Sequence, residues 1–457
     1  MIITQYYLDC LSQATYLVAD ESTGRAILVD PRRDIGEFLD DAAERGLTIE
    51  GVVNTHFHAD FVAGHLETAA ATGAWIGYGR RAETEYPVRH LAHGERIGLG
   101  EVELEVWETP GHTPESISLL VYERAGDAVP YGVLTGDVLF NGDVGRPDLL
   151  ASEGVTSDEL AAMLYDSVHN RLMSLEDEVR VYPAHGAGSA CGKNLQAEAF
   201  STIGVQRTVN YACRPMPEEE FVELVTSGQP AAPGYFGYDA AMNKADRNLL
   251  DLEVTARPLS AEEVSRARLD GAVVVDARSP GDFAAAHLAG SVNIPAEGRF
   301  AETAGSVLSP GDTVVVMAPE GVGEETVMRL GRIGFDNVAG YAADSGAVLA
   351  ASTEVERSER IGADVLRGLL ERAEAPVVVD VRSAGEREQG FIDGSVHIPL
   401  AELTSRLDEV PEGRPVVVHC AGGYRSTVAA SLLRRRHGGE VTDLLGGYGA
   451  WASAEAA

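Results

Sequence analysis

Thr55-His56-Phe57-His58-Ala59-Asp60-Phe61-Val62-Ala63-Gly64-His65 sets two histidines and an aspartate at alternate positions directly after the apolar run 49–54. That run reads as a strand, so the polar side chains collect at its C-terminal end. Asp60 is then expected to cap a helix over residues 61–71. Alternation points His56 and His58 the same way while Phe57 packs behind them. Neutral imidazole beside carboxylate is a donor set for zinc, iron or manganese. His65, one helical turn beyond Phe61, reads as a helix-face histidine outside that set.

One cradle needs further ligands from other strand ends, and the chain supplies them in order. Thr109-Pro110-Gly111-His112-Thr113-Pro114 follows the strand-like run 102–107. Leu134-Thr135-Gly136-Asp137 ends another apolar run on a carboxylate, and Val181-Tyr182-Pro183-Ala184-His185-Gly186 ends a further one on a histidine. The succession HxHxD, GH, GD, PAH resembles the metallo-β-lactamase superfamily over residues 1–240, which implies an αβ/βα sandwich.

Dinuclear zinc hydrolases of that superfamily, such as glyoxalase II, carry HxHxDH. Here Phe61 stands in place of the last histidine, offers no lone pair, and points to a mononuclear centre. The stretch 136–149 is similar to the persulfide dioxygenase branch. That resemblance implies one Fe(II) per chain, bound by His56, His112 and Asp137, with open positions for substrate and dioxygen together. It leaves His58, Asp60 and His185 as residues that support the ligands or handle protons, and gives Arg146 the anionic part of the thiol carrier. Gly186-Ala187-Gly188-Ser189-Ala190-Cys191-Gly192-Lys193, just downstream of His185, brings a thiol and a cation, Cys191 and Lys193, as a candidate sulfur relay.

A second signal is internal. Val273-Val274-Val275-Asp276-Ala277-Arg278-Ser279 recurs as Val377-Val378-Val379-Asp380-Val381-Arg382-Ser383. Gly290-Ser291-Val292-Asn293-Ile294-Pro295 recurs as Gly394-Ser395-Val396-His397-Ile398-Pro399. Two α/β domains with parallel sheets follow. They resemble rhodaneses, and the chain divides into a dioxygenase domain with its strap (1–240), an inactive rhodanese (254–352) and an active one (355–457).

In the last copy the strand-like Val416-Val417-Val418-His419 leads into Cys420-Ala421-Gly422-Gly423-Tyr424-Arg425-Ser426. A cysteine at the base of a glycine-bearing loop that opens a helix is set up as a nucleophile. Backbone N–H groups of Ala421, Gly422, Gly423, Tyr424 and Ser426 favour a thiolate or persulfide on Cys420, and Arg425 adds charge for sulfite or thiosulfate. The middle copy has Ala318 and Gly323 where the cysteine and arginine belong, so it cannot run this chemistry.

The net charge of −35 argues against nucleic acid or an anionic membrane surface as partner. No segment is apolar for long enough to span a bilayer. Four cysteines without paired spacing, and no apolar leader, point to a reducing cytoplasm. Residues 227–238, rich in proline, glycine and aromatics, read as an ordered strap packed back on the first domain. The resemblance further implies a homodimer or homotetramer that oxidises a thiol persulfide with O2 to sulfite and couples this to sulfur transfer through Cys420. The alternative is a zinc thioester hydrolase of glyoxalase II type fused to a sulfurtransferase.

Overall fold

The computed structural model describes residues 1–149, 154–229, 232–436 and 440–455. They form two compact units, Met1–Leu250 with Arg332–Gly334, and the remainder from Asp251 onward.

The first unit holds two six-stranded sheets. One runs in the order Ile2–Leu8, Gln13–Asp20, Arg25–Val29, Thr48–Val53, Trp75–Gly79, Arg89–Leu91, and the other Ser201–Thr202, Arg180–Pro183, Gly132–Gly136, Ile117–Tyr122, Glu103–Glu108, Arg96–Gly98. Alternate side chains of both, among them Val18, Ile27, Val53, Leu104, Leu119 and Leu134, fill the layer between them. Their outer faces take helices: Phe38 and Ala42 of Gly36–Glu44 cover the first sheet, and Leu164 and Phe221 sit on the second. The αβ/βα sandwich follows, with His56, Asp137 and His185 each just past the C-terminal end of a strand.

The helix after the first cradle differs from the reading above. It spans His65–Thr72, is preceded by Gly64 without a side-chain cap, and leaves Asp60 free of any capping role. The reason is competition for the backbone of residues 58–64. Asn243, in the helix Phe236–Lys244, donates through Nδ2 to the carbonyls of His58 and Phe61 at 2.8 and 2.9 Å. Its Oδ1 accepts the Ala63 N–H at 2.8 Å, while the Gly64 N–H donates to the Pro31 carbonyl. Residues 227–238 meet the first unit through the Ser227 carbonyl, which accepts from Lys193, and the Tyr238 hydroxyl, which donates to the Gly334 carbonyl at 3.4 Å; the cradle contact comes from Asn243 just beyond them, and Pro230 and Ala231 lie outside the described residues. Arg247 completes the clamp, reaching Glu67 at 2.7 Å and the Ala63 carbonyl at 2.6 Å.

The second unit contains two parallel five-stranded sheets of one topology. Val273–Asp276 and Val377–Asp380 are each flanked by the strand from the sequence repeat, Val292–Asn293 or Val396–His397, and by a central Val314–Met317 or Val416–His419. All four central strands are almost wholly buried valine runs, as parallel strands covered on both faces require. The middle sheet also seats the helix that follows Cys420. The Asn293 N–H donates to Ser431 Oγ at 3.0 Å, Thr427 donates to Asn293 Oδ1 at 2.8 Å, and the Tyr424 hydroxyl donates to the Pro295 carbonyl at 3.1 Å. At the position equivalent to Arg425, a Cβ on Gly323 would lie 2.2 Å from the Tyr341 ring, so this ring fills the space of the missing arginine.

Replacing Asn243 by alanine orphans three buried backbone groups at once. It is expected to cost roughly 2–4 kcal/mol, read as a lower denaturation midpoint with unchanged slope. An unchanged midpoint would show that the clamp does not hold the loop.

Candidate metal centre and sulfur loop

Among the described residues three groups of ligand atoms lie in the first unit, each within 4.8 Å: two separate trios, His56, His112 and Asp137, and His58, Asp60 and His185, and a third group, Asp137, His185 and Cys191, that joins them. All six side chains of the two trios are buried. His56 and His112 present Nε2 at 3.8 and 3.6 Å from Asp137 Oδ2, and His185 Nε2 lies 3.5 Å from both Asp137 Oδ1 and Asp60 Oδ2.

Each imidazole is turned by the hydrogen bond on its other nitrogen. His112 Nδ1 faces the Arg146 carbonyl at 2.9 Å and His185 Nδ1 the Ser12 carbonyl at 3.1 Å. A carbonyl only accepts, so both Nδ1 atoms carry the proton and both Nε2 atoms a lone pair. Thr55 donates its hydroxyl to Asp30 Oδ2 at 2.8 Å and therefore accepts from His56 Nδ1 at 2.9 Å. His58 is reversed: its Nε2 donates to Asp30 Oδ1 at 2.9 Å, which leaves the Nδ1 lone pair. His56 Nε2, His58 Nδ1, His185 Nε2, Asp60 Oδ1 and both Asp137 oxygens are buried with no protein hydrogen-bond partner. A cluster of inward lone pairs left unsatisfied in this way suits a cation, and this is a His/Asp metal-binding site.

Burial, reinforced by the neighbouring imidazoles, holds His56 well below the usual histidine range, which keeps it a neutral donor. For His58 burial also opposes charge, but Asp30 together with Asp60 and Asp137 outweighs it and the pKa is raised. Burial raises Asp60 as well.

Asp30 carries no signal in the sequence reading, yet one carboxylate sets two cradle histidines, through the Thr55 N–H and hydroxyl on one side and His58 on the other. It adopts a left-handed φ of 51°, uncommon outside glycine and better tolerated by aspartate than by most side chains. Val29-Asp30-Pro31 is another apolar strand ending on an acid, the same signal that marks Asp137, but it lies upstream of the cradle.

The remaining candidates divide. Phe61 is fully buried and its ring lies 4.3 Å from that of His58, an apolar wall at that corner. His65 is buried against Tyr86, its pKa down to about 3 through burial, and belongs to neither trio. Arg146 is 1% exposed and faces inward: it donates to Asp148 at 2.7 and 2.6 Å, and its backbone N–H holds the Cys191 carbonyl at 3.1 Å. Its backbone carbonyl orients His112 and its N–H ties the loop to Cys191. Gly145 fits there because a Cβ would come within 1.9 Å of the Asp137 carbonyl.

Cys191 does reach the centre, grouping with Asp137 and His185, and burial, with Asp60 and Asp137 near it, pushes its thiol pKa well up. Lys193 does not. Its ammonium donates to the Leu224 and Ser227 carbonyls at 3.0 and 2.5 Å, at the C-terminal end of the helix Glu218–Thr226, where the helix dipole favours a cation. A cavity of about 190 Å³ lined by Gln5, Tyr7, Pro183, His185, Gly186 and Glu198 opens beside the second trio.

In the second unit Cys420 follows the buried strand Val416–His419 and lies just before the helix Tyr424–Arg434. The Gly423 N–H donates to its Sγ at 3.1 Å, and Ser426 Oγ stands 3.7 Å from the sulfur. Of the expected loop donors, Gly423 is the backbone group bonded to sulfur; Ala421 instead fixes the loop through its carbonyl, which accepts from Gly449. Tyr424 bonds to the Pro295 carbonyl and Arg425 to Glu386. Gly422 is exposed at the tip.

The metallo-beta-lactamase superfamily model matches residues 8–185, and the rhodanese-like domain model matches 260–343 and 363–454. A crystal structure of a metallo-beta-lactamase from Staphylococcus aureus subsp. aureus COL is 33% identical, with a TM-score of 0.67, covering 74% of this chain and 98% of that one. The mitochondrial persulfide dioxygenase of Homo sapiens is 29% identical over 49% of this chain and 80% of its own length. A hydroxyacylglutathione hydrolase of Rhodospirillum rubrum is 29% identical over 50% of this chain and 80% of its own. No helix among the described residues is long and apolar enough to cross a membrane.

Asp30→Asn keeps the shape but turns an acceptor into a donor facing His58 or Thr55. It is expected to lower metal affinity by about 10–100-fold, read by chelator competition on a protein whose circular dichroism is unchanged. Wild-type affinity would remove Asp30 from the account.

Proposed function

Because the chain belongs to the metallo-β-lactamase superfamily and carries two rhodanese-like domains, we propose that it oxidises a low-molecular-weight thiol persulfide with dioxygen to sulfite and thiol, and moves sulfane sulfur through Cys420. The observation that carries this reading is the trio His56, His112 and Asp137, two imidazoles and one carboxylate with inward lone pairs. Similarity to a persulfide dioxygenase supports it. These residues would hold one ferrous ion, which when bound supplies open positions for a soft sulfur donor and dioxygen side by side.

The chain's own groups have the following work. Carbonyls of Arg146 and Ser12 and the Thr55 hydroxyl keep three Nε2 atoms unprotonated and aimed inward. The Phe61 and Phe140 rings line the His58 and His185 sides and exclude water there. Asp60, its pKa raised by burial, is placed to hold a proton beside His185. Cys191 borders the same centre and can hold sulfur there as a relay; Lys193, tied to its helix end, has no part in it.

At the second centre the Cys420 thiolate attacks the outer sulfur of a donor. The donor's S–S bond breaks, and its thiolate or sulfite leaves with the electron pair. The Gly423 N–H steadies negative charge on Sγ before and after. In the reverse step, sulfite from the first centre takes the outer sulfur of the Cys420 persulfide and leaves as thiosulfate. A covalent tether between the two centres raises the effective concentration of one product for the other site.

The second trio, His58, Asp60 and His185, favours a second reading: a zinc thioester hydrolase, in line with the similarity to a hydroxyacylglutathione hydrolase. Phe61 opposes it, since it puts a ring where a further ligand is needed.

Anaerobic metal analysis separates the two: one iron per chain is expected, and two zinc ions would establish the hydrolase. Iron-loaded protein given a panel of thiol persulfides should take up dioxygen, with His112→Ala reduced to background. Cys420→Ser should abolish sulfur transfer and leave oxygen uptake intact. No uptake with any persulfide would overturn the proposal.

A further inference from the structure

Arg425 meets the mouth of the Cys420 loop already paired. Its Nη1 and Nη2 donate to Glu386 Oε2 and Oε1 at 2.7 and 2.6 Å, a fork-to-fork arrangement. The carboxylate is fixed from behind as well: the Ser383 N–H and hydroxyl both donate to Oε2, at 2.9 and 3.0 Å, in a capping box that starts the helix Ala384–Glu388. Arg425 and Glu386 are each 33% exposed at the side chain, so an incoming ligand meets the pair and not the cation alone.

The surrounding cations are held in the same manner. Arg360, whose guanidinium lies beside Gly423, pairs with Asp443 at 2.9 Å. Arg382 and Arg387 share Asp380 at 2.7 and 3.0 Å. Burial keeps His419 neutral, its pKa down to about 4. The Arg425 hydrogen bonds, with those from Ser383, hold Glu386 ionised, its pKa at about 2. Among the described residues each arginine named here is paired with a carboxylate, Arg382 and Arg387 sharing one, and Arg425, the cation that follows the loop, is matched by Glu386 alone.

We propose that Glu386 is a specificity-determining residue of the sulfur loop: by neutralising Arg425 it disfavours dianionic thiosulfate as donor and favours thiol persulfides, whose reacting end carries at most one negative charge. The inference rests on the reading of Cys420 as a sulfur carrier. In the favoured step the Cys420 thiolate attacks the outer sulfur of R–S–SH, the S–S bond breaks, R–S⁻ leaves with the electron pair, and the proton stays on the sulfur transferred. With thiosulfate the same attack releases sulfite, and two negative charges must first approach a mouth that already holds a carboxylate.

The test uses the full chain, cyanide as acceptor, and thiosulfate or cysteine persulfide as donor. Glu386→Gln keeps the helix cap and removes the charge. It is expected to lower KM for thiosulfate about tenfold and to leave kcat/KM for cysteine persulfide within about twofold. The gain should shrink with added salt. Glu386→Asp keeps the charge and should keep the high thiosulfate KM. Ser383→Ala removes one hydrogen bond to Oε2 and leaves the carboxylate and its charge in place, so it should lower thermal stability and leave KM unchanged. A thiosulfate KM unchanged in Glu386→Gln, or lowered equally in Glu386→Asp or Ser383→Ala, overturns the proposal. Absence of sulfur transfer in the wild-type chain overturns the reading of Cys420 on which it rests.

Discussion

The orientation of the imidazoles is the constraint on which the first unit depends. Four histidines at strand ends would be a liability in a dry interior unless each had one nitrogen satisfied and the other turned to a common point. The fold meets this with two backbone carbonyls, one threonine hydroxyl and the Asp30 carboxylate. Asp30 is the most economical of these, because a left-handed backbone brings one carboxylate within reach of Thr55 and His58 together. The inward lone pairs repel one another and have no protein partner, so the arrangement is stable only in company with a cation or protons.

That constraint explains why the loop 58–64 is not helical. Its carbonyls and N–H groups would satisfy each other in a helix, and the ligands would then rotate around an axis instead of facing one point. Asn243 takes up those backbone groups from outside, and Arg247 with Glu67 fixes the segment that carries Asn243. The helix Phe236–Lys244, whose Asn243 lies more than 170 residues downstream, thus belongs to the metal centre as closely as the loop itself.

The parts legible in the sequence are those encoded by local pattern. Strands ending on His56, Asp137 and His185, the valine runs of the second unit and the cysteine loop all follow from short-range periodicity and turn chemistry. Parts that depend on distant partners were not legible. The helix start at His65 is set by Asn243, the Arg146 guanidinium reaches the Ala190 carbonyl 44 residues on, and the direction of Lys193 is set by a helix end some thirty residues away. Cys191 and Lys193 are two residues apart, and sequence alone could not tell that one faces the centre and the other leaves it.

Charge composition connects the second unit to the same logic. With 36 basic against 71 acidic residues, an arginine in this chain is rarely far from a carboxylate, and around Cys420 the pairing is systematic. Under the proposed function, negative charge on Cys420 would then be met by the Gly423 N–H and the N-terminus of the helix Tyr424–Arg434 more than by side-chain charge. Such donors are short-ranged and directional. They hold a thiolate or persulfide already in the loop, and they attract little from solution. Capture of a dianion from bulk needs the longer reach of a free charge. The middle domain contributes by holding the helix behind the loop through Asn293 and Pro295, which fixes those N–H groups in direction. Its own equivalent site is filled by Tyr341. The copy without the cysteine thus braces the helix of the copy that carries one, and a site built from backbone dipoles depends on their direction.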